Sequence, residues 1–279
     1  MDHFGNTAAG RRNRRRQAEG RGTEQGAQYK SQLHTHDVPS RGRSTRMPID
    51  GRMAHLLSDL ETRLLLELRW APEFSDIREQ MPLPLEATLK IAEDIGARHP
   101  TVPGDGAPAV VTTDIVCRYA DPFGSVICAR SVKPSTEIEP RLGNWARQAE
   151  GLLNLLAKLE IEKRYWQAQG GDWRIVCEQH LDRVRAANIH LLLKWEGFDP
   201  TRGTEHWERA LDTVRQALRR GEDSRLSVIS ERLEGEGRLS PADFMACIRH
   251  LCSTRQLRFD MSQHFGPDLR ACDFFAGDH

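Results

Sequence analysis

The chain has no excess of charge of either sign. Its 279 residues hold 40 Lys and Arg against 40 Asp and Glu, which excludes attraction of the molecule as a whole to a polyanion, so any electrostatic recognition must be local. Long apolar runs are missing too. The hydrophobic share of 38% is enough for a core, but no stretch nears the ~18 consecutive apolar residues of a membrane span, and a soluble protein is expected. The start, MDHFGNTAAGRRNRRRQ, lacks the apolar segment and small-residue cleavage site of a secretory signal, and a cytoplasmic location is expected. Cys117, Cys128, Cys177, Cys247, Cys252 and Cys272 form no CxxC pair, which reads as reduced, mostly packed thiols. At roughly 150 residues per domain, the length suggests two domains.

What the chain does have is positive charge concentrated at one end. Residues 1–47 carry Arg11, Arg12, Arg14, Arg15, Arg16, Arg21, Lys30, Arg41, Arg43 and Arg46 against Asp2, Glu19, Glu24 and Asp37. So few apolar residues cannot offset the entropy of ordering, and residues 1–26 are expected to be a mobile basic arm until they meet a polyanion. The arginines Arg11, Arg12, Arg14, Arg15 and Arg16 are its candidate DNA-phosphate contacts; a solvated tail or a localisation signal has the same composition.

From Met53 to Trp70 apolar residues recur at three- and four-residue steps, which predicts an amphipathic helix with Glu61 beside its stripe. FSDIREQMPLPLE predicts a short strand or extended piece. AVVTTDIVCRYA and SVICARSVKP, joined by DPFG, predict an antiparallel hairpin. Leu152 to Ile161 marks a long helix to about Gln167, stopped by Gly170 and Gly171, and DWRIVC is a further strand expected beside the hairpin. The expected fold class is therefore α/β, with a first domain over 27–180. Beyond His180 helical patterns dominate. Ser240, Pro241 and Asp243 predict a capped helix start, and short helices followed by LRFDM resemble a winged-helix module over 181–279.

The residues with chemical promise lie on the hairpin. Asp114 near the start of one strand and Ser131, Val132 and Lys133 at the end of the next form an Asp…x-x-Lys pattern. In metal-dependent nucleases the carboxylate holds a cation and the lysine steadies the attacking water or the developing phosphate charge. Glu61 could add a carboxylate from the preceding helix, and Glu160 or Glu162 from the following one. On spacing alone, exposed strand ends and ordinary charge pairs such as Glu160 with Arg164 explain these residues equally well. Cys247, His250 and Cys252, near His264 and Cys272, are wrongly spaced for a zinc knuckle and read as packed side chains. Trp145, Trp166, Trp173, Trp195 and Trp207 read as core or hydrogen-bonded boundary residues.

HLLSDLE ending at Glu61, FSDIREQMPL from Phe74, TTDIV around Asp114, VKP at 132–134 and LEIEKRYW at 159–166 stand in the order and similar spacing of the TnsA endonucleases of Tn-seven-type heteromeric transposases. The lead-in from Glu19 to Ser44 is similar too, and the last hundred residues are looser. This resemblance implies a restriction-endonuclease-like domain that nicks double-stranded DNA at the 5′ ends of a transposon in a prokaryotic cytoplasm. It implies Glu61, Asp114 and Lys133 as catalytic residues. Glu61, Asp114 and the Val132 carbonyl would bind Mg²⁺ (or Mn²⁺), with Glu162 a further acid nearby. It also implies as partners an integrase-type transposase subunit (TnsB-like) and an ATPase regulator (TnsC-like). Ser131 departs from the pattern, standing where the family has a glutamine metal ligand. The rival expectation is a non-catalytic architectural subunit that bridges DNA and the transposase or its regulator.

Overall fold

In the computed structural model, which describes residues 6–37, 43–122, 124–139, 145–196, 205–221 and 223–277, the chain divides into two units, Met1–Leu181 and Asp182–His279.

The first unit begins with helix α1 (Ala8–Ala18), started by the Thr7 hydroxyl, which accepts the Gly10 N–H. This corrects the expected mobile arm over its described residues 6–26; residues 1–5 lie outside them. The composition argument failed because burial here is polar. Arg16 is 6% exposed and reaches Asp37 at 3.2 Å, Arg21 reaches the same carboxylate at 2.8 Å, and the Ala9 N–H donates to Asp105 at 2.8 Å. Partners distant in sequence thus anchor a segment that has few apolar side chains of its own.

Strands β1 (Thr45–Ile49) and β2 (Arg52–Leu56) form an antiparallel hairpin, and helix α2 spans Asp59–Trp70. The helix expected from Met53 therefore starts six residues later. Asp50 and Gly51 take φ of 45° and 80°, the two left-handed residues of a tight hairpin turn, and the Ser58 hydroxyl caps α2 by accepting the Glu61 N–H. Then follow β3 (Phe74–Pro82), α3 (Leu85–Asp94), β4 (Thr112–Asp121), β5 (Gly124–Val132), the short α4 (Ser135–Ile138), α5 (Trp145–Ala168) and β6 (Asp172–Val176). Helix α3 was not read from the sequence. The β4–β5 hairpin is antiparallel, as expected, with Asp121 opposite Gly124; Phe123 of its turn lies outside the described residues, as does part of the Glu19–Ser44 lead-in. The sheet order is β3-β4-β5-β6, antiparallel except for the parallel β5–β6 pair. Leu83, Val111, Val116, Ala129 and Trp166 form a core cluster between the sheet and α5. Gly170 ends the α5 turn at φ 70°, a conformation that suits a residue without Cβ.

The second unit holds α6 (Arg183–Leu193), α7 (Glu205–Arg220), α8 (Leu226–Gly235), α9 (Pro241–Ser253) and a two-stranded hairpin of β7 (Leu257–Phe259) and β8 (Phe274–Ala276). The Ser240 cap and Pro241 start α9 as the sequence predicts. Phe244, Ile248 and Leu251 of α9, Ile229 and Leu233 of α8 and Ile189 of α6 are all essentially without exposure. Cys247 and Cys252 are buried on α9, in keeping with packed thiols. Among the described residues no helix is long and apolar enough to cross a membrane.

Candidate active site

Glu61 sits in the first turn of α2, where its carboxylate is immobilised by the chain that starts the helix. Oε1 accepts from the Ser58 hydroxyl at 2.9 Å and Oε2 from the Leu57 N–H at 2.9 Å. The Ser58 N-cap and the Leu57 N–H thus aim a carboxylate that is only 5% exposed. Asp114, the third residue of β4, accepts at Oδ2 from the Val132 N–H and from Lys133 Nζ, each at 2.7 Å. The same Nζ donates to the Val132 carbonyl at 2.7 Å. Between the two carboxylates lies the side-chain amide of Gln80, on β3: its Nε2 is 3.1 Å from Glu61 Oε2 and 3.4 Å from Asp114 Oδ1.

The electrostatics follow from burial of unequally compensated charges. Burial, and then the neighbouring Asp114, push the Glu61 carboxyl up to about 7, against the hydrogen bonds it receives. Burial also opposes ionisation of Asp114, but Lys133, Lys158 and the Val132 N–H outweigh it and hold this carboxyl below its ordinary value. Burial acts against the Lys133 ammonium; Asp114 overcomes it and raises the group. A lysine and an aspartate are therefore charged together, beside a glutamate whose negative charge is not offset.

Ser131 and Glu162 adjoin this centre without sharing it. Ser131 Oγ donates to Glu162 Oε2 at 2.5 Å and accepts from Trp173 Nε1 at 3.0 Å, with no exposure. Glu162, raised by burial and by Asp114 against the pull of Lys158, also meets the Thr113 hydroxyl at 3.4 Å; Thr113 in turn accepts from Trp166 Nε1 at 2.8 Å. Trp166 and Trp173 are thus the hydrogen-bonded residues anticipated. Glu160 stays outside, paired with Arg164 at 2.8 Å. Of the basic candidates, Arg11, Arg12 and Arg15 are exposed and Arg14 is half-buried. Arg16 is buried on Asp37, which removes it from the available phosphate contacts.

The residue that sequence reasoning missed is Gln80. The signal was the run Arg78-Glu79-Gln80 inside a strand, three polar residues without alternation that cannot all face solvent. All three are buried. Glu79 meets Arg52 at 2.8 Å and the His55 N–H at 3.1 Å, and its carbonyl accepts from the Tyr29 hydroxyl at 2.8 Å. These bonds fix the strand on one side of Gln80. Gln80 itself has φ 48°, a left-handed conformation that costs a residue with Cβ of order 1–3 kcal/mol and persists only where surroundings impose it.

The donor set fits a hard divalent cation. Two buried carboxylates converge on one amide, and oxygen donors of this kind suit Mg²⁺ or Mn²⁺ rather than a thiophilic metal. Among the described residues the ligand atoms of His34, His36 and Asp37 also cluster within 4.8 Å. There, however, Asp37 is already neutralised by Arg16 and Arg21, and a cation would face two guanidinium groups. Cys247, His250 and Cys252 form no such cluster.

Comparison with known proteins places both units. The family model described as TnsA-like endonuclease N terminal matches residues 71–178, and that described as TnsA endonuclease C terminal matches residues 181–261. The chain is 38% identical over 181 residues to the transposon Tn7 transposition protein TnsA of Escherichia coli, a match that covers 64% of this chain and 60% of that protein. With the N-terminal match spanning the sheet that carries Asp114 and Lys133 and the C-terminal match following directly, the chain belongs to the TnsA-type proteins.

Proposed function

We propose that this chain is a divalent-cation-dependent DNA endonuclease that nicks the non-transferred strands at the 5′ ends of a transposon, working with an integrase-type transposase subunit and an ATPase regulator. The observation that carries the reading is the buried Glu61–Asp114 pair with the Lys133 ammonium 2.7 Å from Asp114. The element order supports a restriction-endonuclease-like first unit: helix α2, three antiparallel strands, helix α5, then a strand parallel to the third. Helices α8 and α9 followed by the β7–β8 hairpin support a winged-helix-like second unit.

Glu61 and Asp114 would hold Mg²⁺ or Mn²⁺, with the Val132 carbonyl beside them. When bound, such an ion lowers the pKa of a coordinated water and offsets charge on phosphate oxygens. The chain's own part is positional. The Ser58 and Leu57 donors keep the Glu61 oxygens in place, and the Val132 N–H does the same for Asp114. Lys133 brings a fixed positive charge to the point where a phosphodiester would gain negative charge in the transition state. The products of water attack would be a 3′-hydroxyl and a 5′-phosphate.

The architectural alternative would need none of these costs. Two buried carboxylates facing each other destabilise a fold, and a scaffold that only bridged DNA and a transposase gains nothing by keeping them. Nicking of transposon-end DNA by the purified chain with its transposase partner tests the proposal. Asp114→Asn preserves shape and should abolish cleavage while leaving partner binding intact; wild-type nicking by that variant would sink it.

A further inference from the structure

Resting on that reading of Glu61 and Asp114 as a cation site, we propose that Gln80 is a third, uncharged ligand, whose side-chain amide turns to present its oxygen when the cation binds.

The placement is specific. The pairs Glu79↔Ile115 and Met81↔Thr113 leave Gln80 across from Asp114 on the neighbouring strand, and Gln80 is 2% exposed. Its φ of 48°, like the 49° of Asp76 earlier in β3 where the register shifts, departs from extended backbone, and at Gln80 that departure falls directly across from Asp114, a strain of the kind that collects at functional sites. On the other side of Asp114, on β5, Ser131 has its hydroxyl turned to Glu162 and Trp173. Gln80 is the side chain whose neutral amide touches both carboxylates.

The chemistry turns on the two ends of that amide. Facing two carboxylates, which only accept when ionised, the amide points its NH₂ inward, at 3.1 and 3.4 Å. A cation between the carboxylates reverses the preference, because it repels the NH₂ and attracts the carbonyl oxygen. A half-turn about the last side-chain bond exchanges the two. The outer end then needs a neighbour that serves either orientation. The Thr112 hydroxyl, 3.3 Å from Gln80 Oε1, is such a group: it donates to the oxygen as it stands and could accept from the NH₂ after the turn. Before the cation arrives, the same amide bridges the two carboxylates by hydrogen bonds to each, so one side chain serves both states.

The test is Mn²⁺ binding to the full chain without DNA, followed by the paramagnetic resonance of free Mn²⁺, with melting curves in the presence and absence of the ion. Gln80→Met, close in shape but without amide atoms, should weaken Mn²⁺ binding about tenfold or more. Gln80→Glu should tighten Mn²⁺ binding and lower the metal-free melting temperature, since it adds a third carboxylate. If Gln80→Met folds poorly, Gln80→Gly suits the left-handed backbone and should lose affinity likewise. Thr112→Val removes the outer hydroxyl and should also weaken Mn²⁺ binding. If Gln80 is only a structural strut, its variants lower the melting temperature while Mn²⁺ affinity stays at the wild-type value, and the inference is overturned. Loss of binding in Asp114→Asn with wild-type affinity in Gln80→Met or Gln80→Gly removes the role of Gln80 and leaves the cation site standing. No Mn²⁺ binding by the wild type, or undiminished binding by Asp114→Asn, removes both.

Discussion

The Lys133 ammonium bridges the Asp114 carboxylate and the Val132 carbonyl, 2.7 Å from each. These are two of the groups proposed to hold the cation, so lysine and metal would compete for the same oxygens. Removing a positive charge so close to a carboxylate must favour a cation there. Lys133→Met should therefore bind Mg²⁺ more tightly than the wild type and nick DNA far more slowly, since charge that develops in the reaction loses its partner. Calorimetric Mg²⁺ titration beside a nicking assay reads both; weaker Mg²⁺ binding in Lys133→Met would contradict the competition.

Ser131 invites restoration of a glutamine, but the site is closed to it. The hydroxyl is fully buried between Glu162 and Trp173, and the longer side chain must displace one of them. Ser131→Gln is expected to lose roughly 1–3 kcal/mol of stability by overpacking, without lowering the Mg²⁺ concentration needed for cleavage. Chemical denaturation and a Mg²⁺ titration of the nicking rate check the two halves separately.

The parts of the site that were legible in the sequence are those governed by local chain geometry. Strand alternation and the D-P-F-G turn bring Asp114 beside Val132 and Lys133, because a two-residue hairpin has little freedom of register. Glu61 was found for a partly wrong reason. Met53 and Leu56 continue the helical spacing of α2, yet they belong to β2; the Asp50-Gly51 turn and the Ser58 N-cap were the local signals that should have outweighed periodicity. Ordering of α1 and burial of Gln80 were not legible, because both depend on partners far along the chain: Asp37 and Asp105 for α1, Glu61 and Asp114 for Gln80.

The buried Glu61 also predicts a pH effect on stability. Its carboxyl is raised from the ordinary 4.5 to about 7 in the fold, so between those values the folded chain holds a proton that the unfolded chain has released. This group's contribution falls as pH rises through that window, and the destabilisation is complete above it. His34, lowered by burial to about 4, works in the opposite sense from about 4 to 6.5, so the trend of the whole protein is a sum. The difference between metal-free wild type and Glu61→Gln isolates the carboxyl. Their melting temperatures should separate in favour of Glu61→Gln as pH rises from 5 to 8, whereas parallel curves would show that Glu61 titrates normally.

The helix α1 arginines divide by burial into two kinds, which different measurements should tell apart. Arg16 meets Asp37 at 3.2 Å with 6% exposure, and its loss leaves a buried carboxylate with one guanidinium fewer. Arg16→Gln should therefore cost about 2–3 kcal/mol of stability and loosen α1. Arg11, Arg12 and Arg15 are exposed on the same helix. Replacing these three with Gln should leave the melting temperature nearly unchanged. If they neutralise DNA phosphates, removing each such charge should flatten the dependence of log affinity on log salt by roughly 0.9. Phosphate binding carries little sequence information, so affinity for transposon-end and unrelated DNA should fall together. An unchanged salt slope in the triple variant, measured at several salt concentrations, would remove these arginines from the DNA interface. The stability effect of Arg16 would stand regardless, because it depends on the contact with Asp37 and not on DNA.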